Sequence, residues 1–177
     1  AKGGSVLFAC HLLDLVHKND ANADWKVICC DINSIESAKM KIDSFGYSNK
    51  VKLFQGDSSS SEFKKYVEGN IASINDVRVL LSLDSNHTED HVYMELISLA
   101  NFVSMNSYAI VWDSRIGDLT NLTHLMRPRA WNKRHHAGTG ASRFMEENSD
   151  KFIYDYNLEK RLKIAGVKNG LLSRYNI

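Results

Sequence analysis

Aspartate closes four apolar runs of this chain: KVICCD at Asp31, VKLFQGD at Asp57, VRVLLSLD at Asp84 and YAIVWD at Asp113. A carboxylate at a strand end can accept from ribose hydroxyls, accept from an exocyclic amine, or hold a hard cation through oxygen. Two of the four suit a nucleotide. Gly3-Gly4-Ser5 at a helix start would expose backbone N–H groups and let a ligand come close. Asp31, ending the strand after that helix, is then placed to accept both hydroxyls of a ribose. Gly56-Asp57-Ser58 offers a carboxylate and a hydroxyl to an adenine amine. No G-x-G-x-x-G is visible, so S-adenosylmethionine fits these residues better than NAD. The structural alternatives are a tight turn at Gly3-Gly4-Ser5, a turn or cap aspartate at Asp31, and helix capping by Asp57 and Ser58.

The other two face a reaction. Asp84 and Asp113 end neighbouring strands, so their carboxylates could converge on one divalent cation that holds and acidifies a substrate hydroxyl. His87, three residues after Asp84, is a candidate general base. Buried polar pairing and helix capping are the corresponding structural roles. Residues 119–145 contain no acid but carry Arg127, Arg129, Lys133, Arg134 and Arg143. Arg127 and Arg129 are fixed charges that could clamp an acidic or polyhydroxylated acceptor, Trp131 could stack on a sugar face, and His135 and His136 could titrate or ligate. A solvated loop is the alternative, but a long irregular segment at about 115–140 in a compact domain reads as a lid.

The positioning elements follow from spacing. The four aspartates lie about 26 to 29 residues apart, one strand-plus-helix unit each time. Parallel strands joined by right-handed crossovers bring all their carboxyl ends to one sheet edge, where ligands of open α/β sheets bind. Val6, Ala9, Cys10, Leu13 and Val16 recur at helical spacing, SIESAKMKIDSFG reads as a helix closed by Gly46, and GDSSSSEFKKYVEGN as a turn and helix. Residues 77–83 read as a strand covered on both faces, Thr88 as a helix cap, and Val92, Leu96, Leu99 and Val103 as the buried stripe that follows. Tyr108 to Val111 form the next strand, and a helix is expected at 141–148 after Gly138-Thr139-Gly140. Two β-like runs, Leu162 to Val167 and Leu171 to Tyr175, around Asn169-Gly170 predict a C-terminal antiparallel hairpin.

Bulk properties narrow the class. A chain of 177 residues with net charge +1 can hold one full core and shows no electrostatic footprint for nucleic acid. No apolar run approaches the roughly 18 residues of a membrane span, and no signal peptide is visible. Cys10, Cys29 and Cys30 read as reduced apolar residues of a cytoplasmic protein, since the adjacent pair points to opposite strand faces. The sequons at Asn86 and Asn121 read as chance matches, and homo-oligomerisation is left open.

Taken together, AKGGS (1–5), DIN (31–33), QGDSSS (55–60), LDSNHTEDHVYMEL (83–96), NSYAIVWDS (106–114), HHAGTGASRFMEEN (135–148) and LKIAGVKNGLLSR (162–174) resemble the cephalosporin hydroxylase/rhamnosyl O-methyltransferase group of class I S-adenosylmethionine-dependent methyltransferases. The resemblance implies a Rossmann-like α/β domain over 1–177, with a mostly parallel sheet, helices on both faces and an antiparallel finish. It implies O-methyl transfer to a small acceptor, a hydroxyl of a sugar or secondary metabolite. The implied cofactor residues are Gly3, Gly4, Ser5, Asp31, Ile32, Gly56, Asp57, Ser58 and Asp84, with Gly3 and Gly4 at the methionine part. Asp84 and Asp113 would contribute to a magnesium site, with Asp84 and His87 at the chemistry. Two departures stand out. Trp112 replaces the first member of an acidic pair. The family's first strand, with its E-x-G, is expected upstream of residue 1. The competing readings are a non-haem iron oxygenase using His87-Thr88-Glu89, and a cofactor-binding module without catalysis.

Overall fold

A computed structural model describes residues 2–20, 23–72, 74, 76–118, 130–163 and 165–175. The chain forms a mixed α/β structure in two compact units, Ala1–Asn70 and Ile71–Ile177.

In the first unit, helix α1 (Gly4–Val16) leads to strand β1 (Val27–Asp31), helix α2 (Glu36–Ser44), strand β2 (Val51–Gln55) and helix α3 (Ser61–Ile71). The strands pair in parallel from Val27↔Val51 to Asp31↔Gln55. Because the register is even, Asp31 ends level with Gln55, and Gly56 N–H donates to Asp31 O at 3.0 Å. Val6 and Cys10 of α1 pack with Trp25, Ala38, Ile42 and Val51 to form the core. The expected α1 stripe is shorter than its spacing suggested: Ala9 and Leu13 are half-buried and Val16 is exposed. Helix α2 stops as expected at Gly46, whose φ of +79° allows Gly46 N–H→Asp43 O and Tyr47 N–H→Ile42 O to close the last turn.

The second unit has strand β3 (Leu81–Leu83), helix α4 (Glu89–Leu99), strand β4 (Tyr108–Val111), helix α5 (Ala137–Asn148), strand β5 (Phe152–Tyr154), helix α6 (Tyr156–Leu162) and strand β6 (Leu171–Arg174). Its sheet order is β3-β4-β6-β5, with β3 parallel to β4 and both contacts of β6 antiparallel. Val92, Leu96, Leu99 and Val103 are buried as their spacing required, as are Ala109, Val111, Ala141 and Phe144.

Three expectations need correction. The strand at 77–83 shortens to Leu81–Leu83, because residues 77–79 dock on a turn instead: Ser104 Oγ donates to Val77 O and accepts from Val79 N–H. The helix expected at 141–148 starts at Ala137 and includes Gly138-Thr139-Gly140. A Cβ on Gly138 would lie 2.1 Å from Ser114 O, and one on Gly140 2.5 Å from Glu89 O, so these glycines permit close packing. The antiparallel finish exists, but β6 pairs with β4 and β5 rather than with 162–167. Asp155 Oδ1 caps α6 by accepting Leu158 N–H at 2.8 Å, and Lys163 ends that helix at φ 53°. Val167 then lies in a short 3-10 turn, its side chain 1% exposed, filling core instead of adding a strand.

Candidate functional site

Of the candidate cofactor residues, Gly3, Ser5 and Asp31 line one small cleft of the first unit, together with Val6, Cys29, Ile35, Ala38 and Leu53. Gly3 is the N-cap of α1 at φ +76°, and a Cβ there would sit 3.0 Å from Ala38 Cα. Only glycine meets both conditions without strain. Gly4 has nothing within 4 Å of its Cβ position. No capping side chain and no acid occupies the first turn of α1, so its N–H groups suit an anionic partner. Ile32, 71% exposed, presents an apolar surface beside Asp31.

Asp31 and Asp57 also organise their own turns. Asp31 Oδ1 accepts from Asn33 N–H at 2.9 Å and Asn33 Nδ2 at 3.1 Å. Asp57 Oδ1 accepts from Ser59 N–H and Ser59 Oγ, both at 2.8 Å. The cap of α3 is Ser60, whose Oγ accepts Phe63 N–H at 3.1 Å, rather than Asp57 or Ser58.

In the second unit the structure does bring side chains together. One ligand atom each from Asp84, His87 and Asp113 lies within 4.8 Å of the others. His87 Nε2 stands 3.3 Å from Asp84 Oδ1 and 3.5 Å from Asp113 Oδ2. The carboxylates are the more exposed members, at 64% and 49%, against 21% for the imidazole. The parallel β3–β4 pairing causes this convergence, since Trp112 N–H still donates to Leu83 O just before both aspartates leave the sheet. Asp113 then turns at φ 54°, a left-handed conformation that Asp tolerates better than most residues.

The loop between Asp84 and α4 is bolted from below. Ser85 Oγ donates to Glu95 Oε1 at 2.7 Å, and Glu95 is 1% exposed with His91 Nε2 at 3.5 Å. Sequence reading missed this contact; the i+10 spacing carries no periodic signal. Thr88 occupies the cap position of α4 without a side-chain cap bond, and Asn86 Oδ1 accepts Thr88 N–H at 3.2 Å.

The histidines expected at an acceptor hold the start of α5. His136 is its N-cap, Nδ1 accepting Gly138 N–H at 3.1 Å, while Thr139 Oγ1 accepts His136 N–H at 2.9 Å. Burial pushes the His136 pKa down. His135 Nδ1 lies 2.9 Å from Glu89 Oε2, which also accepts from Thr139 Oγ1 at 2.8 Å. The Thr139 bond, with His135 assisting, holds the Glu89 carboxyl below its ordinary range. Glu89 is thus engaged with His135 and Thr139 at the α4–α5 junction. Arg143 belongs to the same junction, its Nη1 3.2 Å from Asp90 Oδ1 and its guanidinium 3.8 Å over the Tyr93 ring. Trp131 is half-buried, whereas Arg127 and Arg129 lie outside the described residues, as do all of 119–129 in the segment expected to form a lid.

Residues 1–175 match the family described as Rhamnosyl O-methyltransferase/CmcI. The chain belongs to this family. Neither a curated protein nor a solved structure matches it. Membership in the rhamnosyl O-methyltransferase/CmcI family supports O-methyl transfer as the general activity. For that activity the Asp84–His87–Asp113 donor set suits a divalent cation, two oxygens and one nitrogen being within reach of one point. It departs from the all-oxygen set that magnesium favours. Trp112, beside Asp113, supplies no ligand, since its indole has only a donor, and that Nε1–H donates to Ser82 Oγ at 2.9 Å. No helix among the described residues is long and apolar enough to cross a membrane.

Proposed function

We propose that this chain methylates a hydroxyl of a small acceptor, a sugar or secondary metabolite, using S-adenosylmethionine and a divalent cation. The observation that carries the reading is the gathering of Asp84, His87 and Asp113 in a chain of an O-methyltransferase family. The Rossmann-like class I layout of this reading rests on the family; the parallel pairs β1–β2 and β3–β4 are in keeping with it, in two small sheets of which the second is mixed.

S-adenosylmethionine supplies an electrophilic methyl: the acceptor O–C bond forms as the S–C bond breaks, the bonding pair passing to sulfur and the hydroxyl proton to a base. Gly3, Gly4 and Ser5 would hold its methionine part at the start of α1, Asp31 its ribose with Ile32 alongside, and Gly56, Asp57 and Ser58 its adenine. Asp84 and Asp113 would hold the cation, which when bound would supply positive charge to acidify an acceptor hydroxyl. The proton leaves to His87 Nε2 or to water, according to what that nitrogen already holds. Arg127, Arg129, Trp131, His135 and His136 are the acceptor-side residues of this reading. In-line attack makes positioning the dominant contribution to rate.

Calorimetry with S-adenosylmethionine is expected to show one site per chain. No binding would overturn the proposal. Trp112 favours a second reading, a cofactor-binding module; saturable binding without methyl transfer to any hydroxyl acceptor would select it.

A further inference from the structure

From the geometry at His87 we infer that the cation of this site is a first-row transition ion, of the Zn2+ or Mn2+ kind, and that His87 is its ligand rather than the base. The inference rests on the reading that Asp84 and Asp113 hold a divalent cation. Three observations carry it. The imidazole nitrogen, and not a third oxygen, is the atom that lies between the carboxylates, 3.3 Å from one and 3.5 Å from the other. Trp112, the residue before Asp113, adds no oxygen to the set: its side chain is an indole whose only polar group is a donor, given to Ser82 Oγ. His87 is also the least exposed of the three, so its ring is placed by packing while the carboxylates reach solvent.

Ligand chemistry then decides the metal. Magnesium prefers oxygen ligands in a near-ideal octahedron and keeps its waters. Imidazole raises affinity for Zn2+ and its neighbours, and carboxylates admit Mn2+, so one nitrogen with two oxygens selects against Mg2+. A lone pair given to a metal cannot accept a proton. The acceptor proton then leaves to water, and His87 contributes by binding and orienting.

The test uses the full chain, stripped by chelator and titrated separately with ZnCl2, MnCl2 and MgCl2 in a calorimeter. Zn2+ and Mn2+ are expected to bind one site at least about tenfold more tightly than Mg2+. The electron spin echo of bound Mn2+ should carry nitrogen modulation from the imidazole, a readout that needs no variant. His87→Ala should abolish that modulation and weaken Zn2+ about tenfold or more while leaving Mg2+ within about twofold. Equal or tighter Mg2+ binding, or Mn2+ bound without nitrogen modulation, overturns the inference yet leaves the Asp84–Asp113 cation standing. No binding of any of the three ions overturns both, and S-adenosylmethionine calorimetry still reports separately on the methyl donor.

Discussion

Asp31 and Asp57 in the first unit, and Asp84 and Asp113 in the second, all end strands, yet their surroundings differ. Each of the first pair has Oδ1 bonded two residues onward, to Asn33 or to Ser59, in the manner of a turn aspartate. The second pair is drawn towards one imidazole from two different strands. Local bonds of the first kind arise wherever a strand must turn into a helix. Convergence of the second kind brings like charges near each other, an arrangement that turn-making does not require. The same residue at the same place in the βα rhythm therefore carries different weight as a functional signal.

Replacing each carboxylate by its amide separates the two cases most sharply. Asp84→Asn removes charge from the cluster, and methyl transfer should fall about 10²–10⁴-fold in steady-state assays. Asp31→Asn retains the turn but loses a charged acceptor. It should weaken S-adenosylmethionine about tenfold or more by calorimetry, as expected for a hydrogen bond to a charged group. An unchanged affinity would reduce Asp31 to its turn.

Glu95 measures how firmly the second unit holds its loop. Glu95→Ala removes the Ser85 Oγ partner and leaves a buried gap, and should cost about 2–4 kcal/mol in denaturant unfolding. Glu95→Gln keeps an acceptor and should recover metal affinity more fully than stability. If both variants bind metal like the parent chain, the bolt under the loop has no part in positioning the cluster.

The smallest effect concerns pH. A histidine whose folded pKa is depressed stabilises the fold above its ordinary value near 6.5, and loses that contribution as pH falls through the folded value. His136 should therefore loosen the start of α5 below about pH 6.5. Glu89, also depressed, adds a further loss below the ordinary carboxylate range near pH 4.3. Amide exchange at Gly138 would report the first step, and His136→Asn, which can still cap, should remove its pH dependence at a cost of about 1 kcal/mol or less.

The rhythm of strands and helices up to Val111 was legible because burial imposes periods that survive in sequence, as at Val92, Leu96 and Leu99. The partner of β6 was not, because antiparallel pairing between Phe152–Tyr154 and Leu171–Arg174 is a choice among several apolar runs. Asp84 and Asp113 could be placed on one edge from their spacing, whereas the position of His87 between them depends on a loop conformation. The Ser85–Glu95 and Glu89–Thr139 bonds join separate elements through single polar atoms, and no composition or period announces such a contact. His135 and His136 looked like ligands because residue type shows what a side chain can do; its neighbours determine whether it is occupied with a cap.

Trp112 has an optical consequence. Its indole is one residue from Asp113 and bonded to Ser82, two residues before Asp84. With Trp25 and Trp131 replaced by phenylalanine, the emission of this chain would come from one fluorophore beside the cluster. Paramagnetic Mn2+ should quench it and diamagnetic Zn2+ should not, so the residue that displaces an acid would serve as a built-in dye for whatever ion takes the place.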